Sequence, residues 1–195
     1  MGAAEYDQHI HRLSRRAALG LALPAVAALA GCDGDDGDLQ DTTQTISPER
    51  KRGDAAVVAS LLDLERTAVV AYETARPRLG ELAARFLAHE RAHARALERA
   101  LRELGASPDA PRPRSAYSSD FPPLRTREDA LRFALDVEQT QIAAYGDGVP
   151  ALFTPELRVT VTTIFAAQAE HTAVVLGELG EPQAPRDFLV GEPPE

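Results

Sequence analysis

From residue 54 onward, apolar residues recur at intervals of three and four, the spacing of helices that bury one face. Four such stretches are legible. The first covers about 54–76 and carries Val58, Leu61, Leu62, Ala68, Val69 and Tyr72. The second covers about 79–104, with Leu82, Phe86, Leu97, Leu101 and Leu104, and Gly105 followed by Pro108 stops it. The third opens at Thr126, with Asp129 three residues on as a capping box, and runs through Leu131, Ala134, Leu135, Ile142 and Tyr145 to about Gly146-Asp147-Gly148. The fourth opens on Thr154-Pro155-Glu156, an N-cap with proline in the first turn, and ends at Gly180 after Leu157, Val161, Ile164, Val175 and Leu179.

The connections read short, long, short. Short links make antiparallel neighbours, whereas residues 106–125, with five prolines, cannot continue a helix. A link of that length carries the chain back along the bundle. The expected fold is all-α: an antiparallel four-helix bundle over residues 54–180, with one long crossover between helices 2 and 3.

Composition agrees with this and adds an address. The chain has 195 residues, 44% apolar but only 5% aromatic and without Trp, which favours helices over a β-sandwich. A net charge of −9 argues against nucleic acid as a partner. Residues 1–31 form a basic start, an apolar run from Ala17 to Ala30 and a small-residue site, the pattern of a secretory signal and too short for a stable anchor. Ser14-Arg15-Arg16 with Leu19 resembles a twin-arginine export signal, departing from it at Ala18 and Gly20. Leu29-Ala30-Gly31-Cys32 resembles a bacterial lipobox at every position. That resemblance implies a lipidated Cys32, a membrane partner and a location on the extracytoplasmic face of a bacterial membrane. Residues 32–53 read as an acidic tether, whose aspartates lack the spacing of a calcium loop, and residues 181–195 as a proline-rich tail in which Phe188, Leu189 and Val190 would pack on the bundle.

The chemistry lies in the apolar stripes. Each carries a polar interruption in its middle third: Glu65; Glu90 with His93; Glu138; Gln168 with His171. With the first turn centred near residues 78–79, Glu65, Glu90 and His93 fall at one height of an antiparallel pair at about 1.5 Å per residue. Glu138 and His171 can meet in the second pair. An internal repeat relates the pairs: Leu64-Glu65-Arg66-Thr67-Ala68-Val69-Val70-Ala71-Tyr72 parallels Val137-Glu138-Gln139-Thr140-Gln141-Ile142-Ala143-Ala144-Tyr145, and Glu90-Arg91-Ala92-His93 parallels Gln168-Ala169-Glu170-His171.

One Glu from each of two helices plus Glu-x-x-His from the other two is the di-iron carboxylate constellation. On these residues the chain resembles the ferritin-like superfamily, and more closely its exported bacterial members. The resemblance implies iron or manganese, mononuclear or dinuclear, held by Glu65, Glu90, His93, Glu138 and His171. It also implies oxidase, peroxidase or ferroxidase activity. Gln168 departs from the pattern, which expects Glu. An amide is a weak ligand that adds no charge, so the second ion is the one in doubt. Tyr72 and Tyr145, two turns from Glu65 and Glu138, could bond a ligand, donate an electron or simply fill the core. His89 reads as a rim histidine, and Arg85, Arg91 and Arg95 as a solvated face. The alternative reading is a non-enzymatic, membrane-tethered bundle with a metal-free polar network. Iron storage, which needs a hollow assembly, has no support in the sequence.

Overall fold

The computed structural model describes residues 46–184, and every regular element among them is a helix. The export signal with Arg15 and Arg16, Cys32, most of the expected tether and the Phe188-Leu189-Val190 segment lie outside the described residues. Helix α1 spans Pro48–Leu79, α2 Glu81–Glu103, the single-turn α3 Arg114–Tyr117, α4 Arg127–Ala151 and α5 Pro155–Leu179.

α1 begins six residues ahead of the apolar periodicity. Ser47 caps it, its Oγ accepting from the Arg50 amide at 3.3 Å, and Pro48 occupies the first turn, where its missing N–H costs nothing. It passes through Pro77 and stops at Gly80, whose φ of 56° suits glycine. α4 also outruns the expected stop at Gly146-Asp147-Gly148. Gly148 is buried against Leu61 and Val57 of α1, so tertiary contact holds the glycines helical against their propensity. The expected capping box of Thr126 and Asp129 opens α4, and Gly180 closes α5 in the left-handed conformation.

α1 pairs with α2, α4 with α5, and the two hairpins meet through α1 and α4. Tyr72 reaches Glu138 while Tyr145 reaches Glu65, so α1 and α4 run antiparallel. The crossover between α2 and α4 lies along the outside of α1. Arg112 pairs with Asp63 at 2.6 Å, Arg114 pairs with Glu73, and Arg78 Nε donates to the Arg125 carbonyl at 2.9 Å. Tyr117 is the buried anchor of this strap, with the Arg112 guanidinium over its ring at 4.4 Å.

Two apolar clusters fill the bundle, one toward each end. The first holds Val58, Leu61, Leu97, Leu152, Val161 and Ile164, and the second Leu79, Phe86, Leu131 and Val175. Each fully buried side chain of this size is worth roughly 1.5–3 kcal/mol. Between the clusters lies a buried polar layer: Glu65, Glu90, Glu138, Gln141, Gln168 and His171. One further buried carboxylate, Asp54, sits near the end of α1 and accepts from the amides of Phe153 and Thr154 at 2.8 and 2.9 Å and from the Thr154 hydroxyl.

Candidate metal centre

The polar layer brings together all six residues of the expected ligand set. Glu65, Glu90, Glu138 and Gln168 are wholly buried, His171 nearly so, and His93 is 14% exposed. Two clusters share one carboxylate: Glu65, Glu90 and His93 on one side, and Glu90, Glu138 and His171 on the other. His93 Nδ1 lies 3.5 Å from Glu65 Oε2 and 3.6 Å from Glu90 Oε2. His171 Nδ1 lies 3.2 Å from Glu90 Oε1 and 3.4 Å from Glu138 Oε2. These are ion-pair contacts without hydrogen-bond geometry, and Glu65 Oε2, Glu90 Oε1, Glu138 Oε2, His93 Nδ1 and His171 Nδ1 have no hydrogen-bond partner.

The outer atoms, by contrast, are held. Tyr72 donates to Glu138 Oε1 and Tyr145 to Glu65 Oε1. The sequence places each tyrosine two turns from the glutamate of its own helix, too far to bond it. The structure pairs them crosswise, because two turns along one helix of an antiparallel pair lies level with the glutamate of the other. Gln168 Nε2 donates to Glu65 Oε1 at 3.2 Å and to Glu90 Oε2 at 3.3 Å. His89, exposed at the rim as expected, also bonds inward, its Nδ1 lying 2.9 Å from His171 Nε2. Phe86 lies against the His171 ring, with centroids 4.1 Å apart and planes 20° from parallel. Arg85, Arg91 and Arg95 are exposed, with Arg91 paired to Glu73.

A profile of the ferritin-like domain matches residues 53–181, two-thirds of the chain. The chain belongs to the ferritin-like domain family. Among solved structures, a conserved hypothetical protein from Mycobacterium tuberculosis is similar at a TM-score of 0.57 and 18% identity, over 65% of this chain and 97% of that one. That likeness speaks to the fold. No curated protein matches the sequence.

The donor set of this ferritin-like domain suits a divalent ion. Nitrogen and oxygen ligands lie about 2.0–2.2 Å from such ions, which places neighbouring donors about 3.0–3.5 Å apart. The unpartnered atoms around Glu90 and His171 already have that spacing. Metal-free, the centre balances its charge with protons. Burial pushes Glu65 up to about 8 against the pull of His93, and burial also raises Glu138. Burial opposes ionisation of Glu90 too, but the imidazoles of His171 and His93 outweigh it and hold its carboxyl well below the usual range. Burial likewise opposes the charge on His93 and His171. Their carboxylate neighbours overcome it and lift both to about 9. Burial and the two neighbouring imidazoles lower His89. An ion entering this site must displace protons, so it competes better as pH rises.

One participant was not picked out from the sequence. Gln141 is buried and its Nε2 donates to Glu90 Oε2 at 3.2 Å. The stripe reading gave that space to Ile142, which is only half-buried. The signal was Gln141 itself, a polar residue three positions from Glu138 and so on the same helix face.

Proposed function

We propose that this ferritin-like protein is exported, lipid-anchored through Cys32 on the outer face of a bacterial membrane, and binds iron or manganese in its carboxylate–histidine centre. The observation that carries the metal reading is the set of buried donor atoms turned toward one another without hydrogen-bond partners. Such groups are costly to bury unless something satisfies them. A bound redox-active ion would supply electron transfer toward dioxygen or peroxide, as oxidases and peroxidases require. The chain's own residues prepare for it. Tyr72 and Tyr145 fix the outer oxygens of Glu138 and Glu65, and the apolar clusters exclude water from above and below. The competing reading, a metal-free structural bundle, is favoured by the amides of Gln141 and Gln168, which satisfy part of the carboxylate charge.

The export reading rests on the sequence pattern of residues 1–32. Among the described residues, α5 alone is long and apolar enough to cross a membrane, but it turns Gln168 and His171 into the polar layer. An anchored chain should partition into the detergent phase when produced in a bacterium, and Cys32→Ala should move it to the aqueous phase. Equal partitioning of the two would remove the anchor.

Metal binding is tested by melting the full chain with a chelator or with an excess of manganese or anaerobic ferrous iron. An ion at about 100 times its Kd that binds only the folded state adds about 2.7 kcal/mol. For a domain of this size that raises the melting midpoint by roughly 8 °C. The shift should be larger at pH 8 than at pH 6, because protons compete for His93, His171 and Glu65. A midpoint indifferent to metal at both pH values would leave the structural bundle.

A further inference from the structure

We propose that the centre is a one-ion site: Glu90 Oε1, Glu138 Oε2 and His171 Nδ1 hold the ion, and His89 positions His171 for it. This rests on the metal-binding reading above and departs from the symmetric two-ion arrangement that the repeat suggests.

The two oxygens of Glu90 are not equivalent. Oε2, on the His93 side, accepts from both Gln141 and Gln168, at 3.2 and 3.3 Å. A carboxylate oxygen has two in-plane lone pairs, so these amides use its capacity. Oε1 accepts no hydrogen bond and faces His171 Nδ1 at 3.2 Å. The Glu138 half therefore offers two carboxylate oxygens and an imidazole, Glu90 Oε1, Glu138 Oε2 and His171 Nδ1, whereas the Glu65 half offers one carboxylate oxygen, Glu65 Oε2, with His93 Nδ1 and the uncharged amide oxygen of Gln168. Charge limits the count to one ion. Glu90 and Glu138 balance one divalent ion, and Glu65 alone does not balance a second.

His89 adds to the asymmetry. Its Nδ1 lies 2.9 Å from His171 Nε2, with the two rings 16° from parallel. If Nε2 keeps its proton to donate to His89, the lone pair of His171 is on Nδ1, facing Glu90 and Glu138. An outer partner of this kind fixes both the tautomer and the orientation of a ligand imidazole. In the repeat, the position of His89 corresponds to Ala167, which can offer His93 no such partner.

The test titrates the full chain with manganese(II), following the free-ion paramagnetic resonance signal, beside five variants. Wild type should bind one ion. His93→Ala should keep it, and His171→Ala should weaken it by about 100-fold or more. His89→Phe, which keeps a stacked ring but no acceptor, should lose about 10–100-fold, and His89→Gln, whose amide oxygen can accept, should restore binding. Gln168→Glu should raise the stoichiometry to two, and as a gain it decides the matter even where His171→Ala does not fold. Two ions in wild type, one lost with each histidine, would overturn the proposal while leaving metal binding intact. So would a single ion lost in His93→Ala and kept in His171→Ala. A His89→Gln chain as weak as His89→Phe would remove the positioning role. No manganese bound by wild type would overturn the metal-binding reading itself, and this proposal with it.

Discussion

Replacing Phe86 with Ala should destabilise the domain by about 4 kcal/mol, the usual cost of emptying a buried phenylalanine site. The ring is 2% exposed and joins two levels of the structure. Its face lies along the His171 imidazole, and the Tyr72 ring meets it edge-on with centroids 5.5 Å apart. A cavity there removes apolar contact from the second core cluster and also the packing beside a buried histidine. Urea denaturation at equilibrium measures the loss as a lower midpoint at unchanged slope. Phe86→Leu refills much of the volume and should recover more than half of the stability. A cost below about 1 kcal/mol for Phe86→Ala would mean that neighbouring side chains collapse into the space, and that the ring does not hold the floor of the centre.

Asp54→Ala should cost about 3 kcal/mol, although the residue lies at the far end of the bundle from that floor. It strands three donors at once: the amides of Phe153 and Thr154 and the Thr154 hydroxyl. Each of these part-buried donors, left unsatisfied, costs about 1 kcal/mol or more. The thermal midpoint should fall by roughly 9 °C for a domain of this size. Asp54→Asn keeps an acceptor and should fall between the two. A midpoint within a degree or two of wild type for Asp54→Ala would mean that water replaces the carboxylate and the junction is not truly sealed.

The fold was legible because its two determinants are local. Apolar spacing marks the helices, and the contrast between short links and one proline-rich link sets their pairing. The ligand candidates were legible for a related reason: a charged residue in the middle of an apolar stripe is conspicuous, and Glu65, Glu90, Glu138 and His171 are all such interruptions. What escaped depends on rotation and register. Gln141 and Ile142 are adjacent, and only the packing of α4 against α1 decides which faces inward. The crosswise tyrosine bonds follow from the antiparallel register of two helices far apart in sequence, which neither helix encodes by itself. His89 looked like a rim residue and is one, but its bond to His171 crosses between α2 and α5. The early start of α1 was missed because Ser47-Pro48 begins a polar turn with nothing to bury.

The exchange of tyrosines between hairpins has a consequence for how the molecule is assembled. Tyr72 belongs to the first hairpin and bonds a carboxylate of the second, and Tyr145 does the reverse. The three donors around Glu90 Oε1 are divided in the same way, with Glu90 on one hairpin and Glu138 and His171 on the other. The first hairpin alone holds the Glu65, Glu90 and His93 cluster, but neither half alone holds the Glu90, Glu138 and His171 set. The link between them, residues 106–125, contains none of the four bundle helices, so a cleavage there severs connectivity without cutting a bundle helix. The Glu90, Glu138 and His171 set is therefore a coincidence detector: its donors converge only when the two hairpins are docked in register.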